Sequence, residues 1–152
     1  MSIFHSMNTT ATALSANRLR MDVISSNMAN AETTRGKLVN GEWEPYRRKS
    51  VVLQAQEGNS FASHLSAAQG SNDGTGNGVK VSAIEEDTET PFELVYDPEN
   101  PDANEDGYVQ MPNVDPLREM VDLMSTTRSY EANVTVLNAS KSMLMKTLEI
   151  GK

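Results

Sequence analysis

A chain of 152 residues is long enough for one ordinary domain, yet 38% of it is apolar and 5% aromatic, so a large core is not guaranteed. The net charge of -8 argues against nucleic acid as a partner, because binding to phosphate backbones depends on Lys and Arg neutralising them. With no cysteine there is no disulfide, thiolate nucleophile or cysteine zinc site, and no apolar run approaches the ~18 residues of a membrane span.

From the amino terminus, Ile3, Met7, Thr10, Leu14, Asn17, Met21, Ile24 and Met28 recur in steps of three and four, which predicts a helix with one buried seam. Its other faces carry Asn8, Thr9, Thr12, Ser15, Ser25, Ser26, Asn27 and Asn30, poor helix formers whose presence points to neighbours on several sides and folding coupled to assembly. The segment lacks the continuous apolar core of a secretory signal, so export, if it occurs, is expected to use another route; a transit peptide is the plainer alternative, the segment being acid-poor with Arg18 and Arg20.

Ala31 to Gly36 reads as a polar helix end and a turn. Pro45 to Leu53 reads as a strand whose basic run Arg47, Arg48, Lys49 forms a solvated edge or a subunit contact. Gln54 to Gly78 contains Ser71-Asn72-Asp73-Gly74-Thr75-Gly76-Asn77-Gly78 and is expected to be a flexible Gly, Ser and Asn-rich loop. Short strands are predicted at Val79 to Ile84 and Phe92 to Tyr96, with a further extended piece at Gly107 to Met111, together making a small antiparallel module.

Asp115 to Ile150 reads as one uninterrupted helix, with Asp115 as N-cap and Pro116 at the first position, where a missing N–H costs nothing. Glu119 and Asp122 near its start and Lys141 and Lys146 toward its end complement the macrodipole. A second stripe, Met120, Met124, Thr127, Tyr130, Val134, Leu137, Leu144 and Leu148, matches the amino-terminal one. At ~1.5 Å per residue this helix is roughly 50 Å long, longer than the ~40 Å diameter of a compact globule of this size. The reading is therefore α+β: paired, coiled-coil-like terminal helices over 1–32 and 115–152, with a β-rich and loop module over 33–114 between them.

Little points to catalysis or ligand chemistry. Asp102, Asn104, Asp106 and Gly107 have the opening spacing of a calcium loop, but Asn113 stands where a bidentate Glu is required and Pro98 and Pro101 preclude the leading helix, so an Asx-rich turn is the reading preferred. His5 and His64 form no triad or metal spacing. Glu85, Glu86, Asp87 and Glu89 could serve a secreted glycan-acting enzyme only beside an aromatic-walled cleft, and a solvated connection is preferred. A membrane-surface role for the first helix is disfavoured by its sparse positive charge. No catalytic residue, cofactor or metal is assigned.

The segment Ser26-Asn27-Met28-Ala29-Asn30-Ala31-Glu32-Thr33-Thr34-Arg35 resembles the signature that closes the amino-terminal helix of the flagellar rod and hook family, with Glu32 where a small polar residue is common. Gly107-Tyr108-Val109, Pro112-Asn113-Val114, Glu119-Met120-Val121, Arg128-Ser129-Tyr130-Glu131-Ala132-Asn133, Asn138-Ala139-Ser140-Lys141, Val95-Tyr96-Asp97-Pro98 and Leu148-Glu149-Ile150-Gly151 are similar to its proximal-rod branch. The resemblance implies a non-enzymatic subunit of the bacterial flagellar basal body, exported by the flagellar type III apparatus without a Sec signal and assembled in the periplasmic rod. Its partners would be copies of itself and other rod proteins, another rod or hook axial protein being the alternative. Asn27, Asn30, Thr33 and Arg35 at the first helix end, and Arg128, Tyr130 and Asn133 in the last helix, are the expected subunit contacts, with plain intrachain packing the competing role for Tyr130.

Overall fold

The computed structural model describes residues 4–39, 41–56, 65, 68 and 77–150. It is α+β, with a helix at each end and short strands between. Helix α1 spans His5–Ala29, followed by β1 Lys37–Val39, β2 Glu42–Glu44, β3 Lys49–Ala55, β4 Val79–Glu86, β5 Glu93–Tyr96 and β6 Tyr108–Met111. The closing helix, here α2, spans Pro116–Ile150. Most of the 54–78 loop, with His64, and Ile3 of the first seam lie outside the described residues.

The chain divides into two compact units, one comprising Met1–Leu19, Val52–Ala83 and Thr127–Lys152, the other Arg20–Val51 and Ile84–Thr126. In the first, Thr10 and Ala16 of α1 and Ser140 of α2 are buried. The hydroxyls that make α1 a poor helix on propensity turn back on the helix: Thr9, Thr10, Thr12 and Ser15 donate to the carbonyls of His5, Ser6, Thr9 and Ala11. Each side chain so engaged is satisfied without leaving the helix. Thr12 Oγ1 also accepts from the Val79 amide at 3.3 Å, where Gly78 (φ 106°) brings the backbone against it.

The second unit has an apolar centre of Val23, Ile24 and Val109, but two of its three largest fully buried side chains are polar, Glu119 and Asn27. All described positions of the α1 seam from Met7 to Met28 are buried or half-buried, as the periodicity predicts. Along α2 the expected stripe holds at Thr127, Tyr130, Val134, Leu137 and Leu144, which are half-buried, and needs correction at its ends. Met120, Met124 and Leu148 are exposed, and burial instead follows Glu119, Thr126, Asn133 and Ser140, flanked by Leu123, Tyr130, Leu137 and Leu144. Both lines repeat every seven residues, but the first is polar, so a reading weighted by hydropathy rotated the helix start by one position.

The strands also differ from the single module expected. They form three separate two-stranded ladders, β1-β2, β3-β4 and β5-β6. The β1-β2 ribbon, with Leu38 opposite Trp43, was not foreseen, although Asn40-Gly41 is a standard hairpin dipeptide and Gly41 has φ 94°. The strand expected from Pro45 begins at Lys49, because Pro45 and Tyr46 are held in an extended connection by the Tyr46 amide bonding the Thr33 carbonyl at 3.1 Å. In β5-β6, antiparallel with Tyr96 opposite Tyr108, those two rings meet edge to face at 5.3 Å.

Asp115 caps α2 as expected: its Oδ1 accepts from the amides of Leu117 at 2.9 Å and Arg118 at 3.4 Å. Replacing Asp115 by alanine is expected to cost about 1 kcal/mol, read as faster amide exchange over Leu117 to Glu119. Unchanged exchange there would show the cap to be idle.

Candidate functional site

The buried polar side chains of the second unit converge where α1 ends, β3 begins and α2 starts. Asn27, in the last turn of α1 and 1% exposed, uses every hydrogen-bonding position it has. Its Nδ2 donates to the Lys49 carbonyl at 2.9 Å and to Glu119 Oε2 at 3.0 Å. Its Oδ1 accepts from the Lys49 amide and from the Tyr46 hydroxyl, both at 3.0 Å. Toward Lys49 the side-chain amide therefore behaves as a neighbouring strand would, giving one donor and one acceptor to the same main-chain residue.

Glu119 is 0% exposed, and a carboxylate there must be paired to be tolerated. Arg48 supplies the charge, its Nε lying 2.6 Å from Glu119 Oε1 and its Nη2 3.5 Å from Asp122. The expectation of a solvated basic edge is thus corrected for Arg48, whose side chain is 19% exposed. On an extended segment consecutive side chains face opposite ways, so one of two adjacent arginines had to turn inward. Arg47 takes the other side and lies 4.4 Å above the Phe92 ring. Asn113 completes the junction, accepting from the Arg48 amide at 2.8 Å and donating to the carbonyls of Asp87 and Thr90.

A second tie joins the segment after α1 to the turn between β5 and β6. Arg35 donates to Asp102 Oδ1 through Nε and Nη2, and the Thr34 hydroxyl donates to Oδ2 at 2.7 Å. Asn104 Oδ1 accepts from the Asp106 and Tyr108 amides and Gly107 has φ 80°. The segment from Asp102 to Gly107 is thus the Asx-rich turn expected, held by an arginine. The Arg35 guanidinium, followed by the Thr34 hydroxyl, holds the Asp102 carboxyl below its ordinary value of 3.8, and Arg35 itself is pushed up by the same contact. Because the folded value is depressed, the tie is complete above about 3.8 and is lost as pH falls through the lower folded value. A carbon-detected titration of the Asp102 carboxyl should give a midpoint below 3.8, returning toward it in Arg35→Ala. A midpoint indifferent to that substitution would contradict the pairing.

In the acidic stretch before β5, Asp87 accepts from the Glu89 and Thr90 amides and the Thr90 hydroxyl, Thr90 being the main cause of its lowered carboxyl. Among the described residues no cluster of three or more His, Asp or Glu could hold a metal ion. Nor, among the described residues, is any helix long and apolar enough to cross a membrane.

The structure brings four of the sequence-selected residues to the end of α1 but gives them intrachain work. Asn27 sits in the buried junction, Asn30 accepts from Thr33 at 3.2 Å and donates to the Ser26 carbonyl at 2.8 Å, and Arg35 holds Asp102. In α2, Arg128 is exposed, Tyr130 and Asn133 are half-buried, and Asn133 donates to the Ser129 carbonyl. Tyr46, Arg48, Asn113 and Glu119 were not selected. For Glu119 the signal was present in its seven-residue spacing from Thr126.

Both ends of the chain carry the pattern of one class of protein, the rod proteins of the flagellar basal body. Residues 7–36 match the family described as "Flagella basal body rod protein", and residues 105–150 match "Flagellar basal body rod FlgEFG protein C-terminal". Over 152 residues, 100% of both chains, the protein is 64% identical to the flagellar basal-body rod protein FlgC of Bacillus subtilis (strain 168). It is 42% identical to the FlgC of Borreliella burgdorferi, over 99% of this chain and 98% of that one, and 42% identical to that of Salmonella typhimurium over 100% of each. The chain belongs to the FlgC family of flagellar basal-body rod proteins.

Proposed function

We propose that the chain is a structural, non-enzymatic subunit of the proximal rod of the bacterial flagellar basal body. It assembles through its terminal helices into a helical tube that surrounds the export channel and transmits torque. The observation that carries this reading is the full-length similarity to proteins named for that rod. The fold supports it: the helices contribute 25 and 35 residues, and α2 exposes Val136, Met143, Met145, Leu148 and Ile150 along its second half, an apolar surface that a lone chain leaves in water.

In this reading 1–32 and 115–152 pair as the helical core and 33–114 projects between them. The partners are further copies and other rod proteins, and the flagellar type III apparatus carries the chain to the periplasm. Arg128, Tyr130 and Asn133 make subunit contacts on α2, and Asn30, Thr33 and Arg35 make them at the end of α1. Asn27 acts from behind, fixing the surface those residues present. A heterologous contact whose rotation does not close generates such a tube.

Deleting the coding sequence in the parent bacterium should abolish swimming, and the tagged, complementing chain should co-purify with basal bodies; a motile deletion strain would overturn the reading. In dilute solution the isolated chain should show well under the roughly 40% helix that two helices of this length give at 1.5 Å rise per residue, since long helices with polar faces draw their stability from packing. Full helicity in the monomer would contradict assembly-coupled folding.

A further inference from the structure

Two surface features of the second unit each hold exposed apolar side chains and a charge that the contacts described so far leave unpaired, and they are complementary. One is a groove of about 720 Å³ between the β1-β2 ribbon and β6, walled by Val39, Trp43, Pro45 and Tyr108, with Glu42 and Gln110 among its polar residues. Trp43, the only tryptophan of the chain, is 56% exposed, a residue type that dominates binding energy when a partner covers it. Glu44 is paired with Arg47 and Asp102 with Arg35, whereas Glu42 has no cationic partner among the described residues. The groove therefore sets apolar walls among polar and acidic residues, and Glu42 is its one acid without a cation beside it.

The other feature is the outward face of the first turns of α2. Leu117 is 73% exposed and Val121 59%, with Met124 exposed beyond them. Steps of four and three put all three on one face. The inward turn of Glu119 fixes the rotation of the helix, so this stripe has to face away from the unit's own core. Arg118 flanks the stripe, and it has no carboxylate partner among the described residues. No residue of α2 lines the groove. Within one chain the two patches stay apart, each with exposed apolar side chains and one unpaired charge, of opposite sign.

We propose that the groove beside Trp43 seats Leu117 and Val121 of a second copy of this chain, with Glu42 facing Arg118 of that copy. The pairing joins two different patches, so every copy keeps one free groove and one free stripe and the contact repeats along an axis. This inference rests on the rod-subunit reading and names the contact by which like subunits would join.

The test is made on the full-length chain in the parent bacterium, with a photoreactive residue in place of exposed Gln110, followed by purification of basal bodies. The expected result is a crosslink to the peptide carrying Leu117 to Met124 of a second copy. If the chain is in the basal bodies but crosslinks elsewhere or not at all, the contact is wrong and the rod reading stands. If the chain is missing from them, both fall. In parallel, Glu42→Arg and Arg118→Glu should each lower incorporation by at least about tenfold, since facing like charges at an interface cost several kcal/mol. The two combined should restore incorporation. Arg118→Glu places an acid in the first turn of α2, where the macrodipole favours it, so its loss of incorporation would not come from a weakened helix. Single variants that incorporate normally, or a combination that fails to recover, would overturn the proposal.

Discussion

Glu119→Ala is expected to cost the second unit about 3 kcal/mol, and amide exchange at Arg48 and Lys49 should quicken about 100-fold, each 1.4 kcal/mol being tenfold. Removing one member of a buried ion pair typically costs roughly 3–5 kcal/mol, because the other member is left uncompensated. Here the low end applies, since Arg48 keeps 19% exposure and a 3.5 Å contact with Asp122. The alanine also strips Asn27 Nδ2 of one of its two acceptors. Glu119→Gln should cost less, because one oxygen remains to accept from Arg48, but not nothing, since its amide nitrogen then meets the Asn27 Nδ2 donor. Asn27→Ala should approach the loss seen with Glu119→Ala through another route, leaving the part-buried Lys49 amide and carbonyl without their partner and the Tyr46 hydroxyl only Ser26 Oγ at 3.4 Å, an unsatisfied buried group costing about 1–3 kcal/mol at most. A Glu119→Ala loss under about 1 kcal/mol, the value of an ordinary exposed pair, would show that the junction is not what holds α1, β3 and α2 together.

Gly36→Ala is expected to be nearly as damaging, at about 3 kcal/mol, the upper end of overpacking costs. A Cβ at Gly36 would sit 2.6 Å from the Tyr46 nitrogen, 2.7 Å from its Cα and 3.0 Å from the Pro45 carbonyl carbon. All three are backbone atoms, so no side chain can swing aside. The strain would fall on the bond from the Gly36 amide to the Glu44 carbonyl at 2.8 Å and on that from the Tyr46 amide to Thr33. Gly41→Ala is the matched control: φ is 94° but nothing lies within 4 Å of the added methyl, so only the left-handed backbone cost of roughly 1–2 kcal/mol remains. Trp43 fluorescence during chemical unfolding reports both variants from the same ribbon. Equal midpoints for the two would refute the steric argument.

Helix boundaries were legible because their causes are local. The Asp115 cap, Pro116 and the absence of a breaker up to Ile150 place α2 to the residue. Seven-residue spacing likewise marked the buried face of α1. What could not be read was which way a polar side chain turns when its partner is far away in sequence. Glu119 looked like an N-terminal acid complementing a dipole, and Arg48 like part of a solvated run. Their pairing spans 71 positions, and neither residue shows the other in its own neighbourhood. The same blindness put Met120 and Met124 inward, since methionine outranks glutamate on any hydropathy measure. The β1-β2 ribbon was missed for a different reason: three-residue strands are too short for alternation to register, and only the Asn40-Gly41 dipeptide announced them. For the candidate contacts, composition picked out the polar end of α1 but could not separate residues that face solvent from those spent on the chain's own carbonyls.

The way Asn27 grips Lys49 restricts what evolution can write at that place. Aspartate would aim a lone pair at the Lys49 carbonyl and a second anion at Glu119, glutamine is one methylene too long to keep both bonds in register, and serine cannot donate and accept at that separation. The two bonds between Asn27 and the Lys49 backbone join uncharged groups, so brine that screens the Arg35 clasp should not weaken them directly.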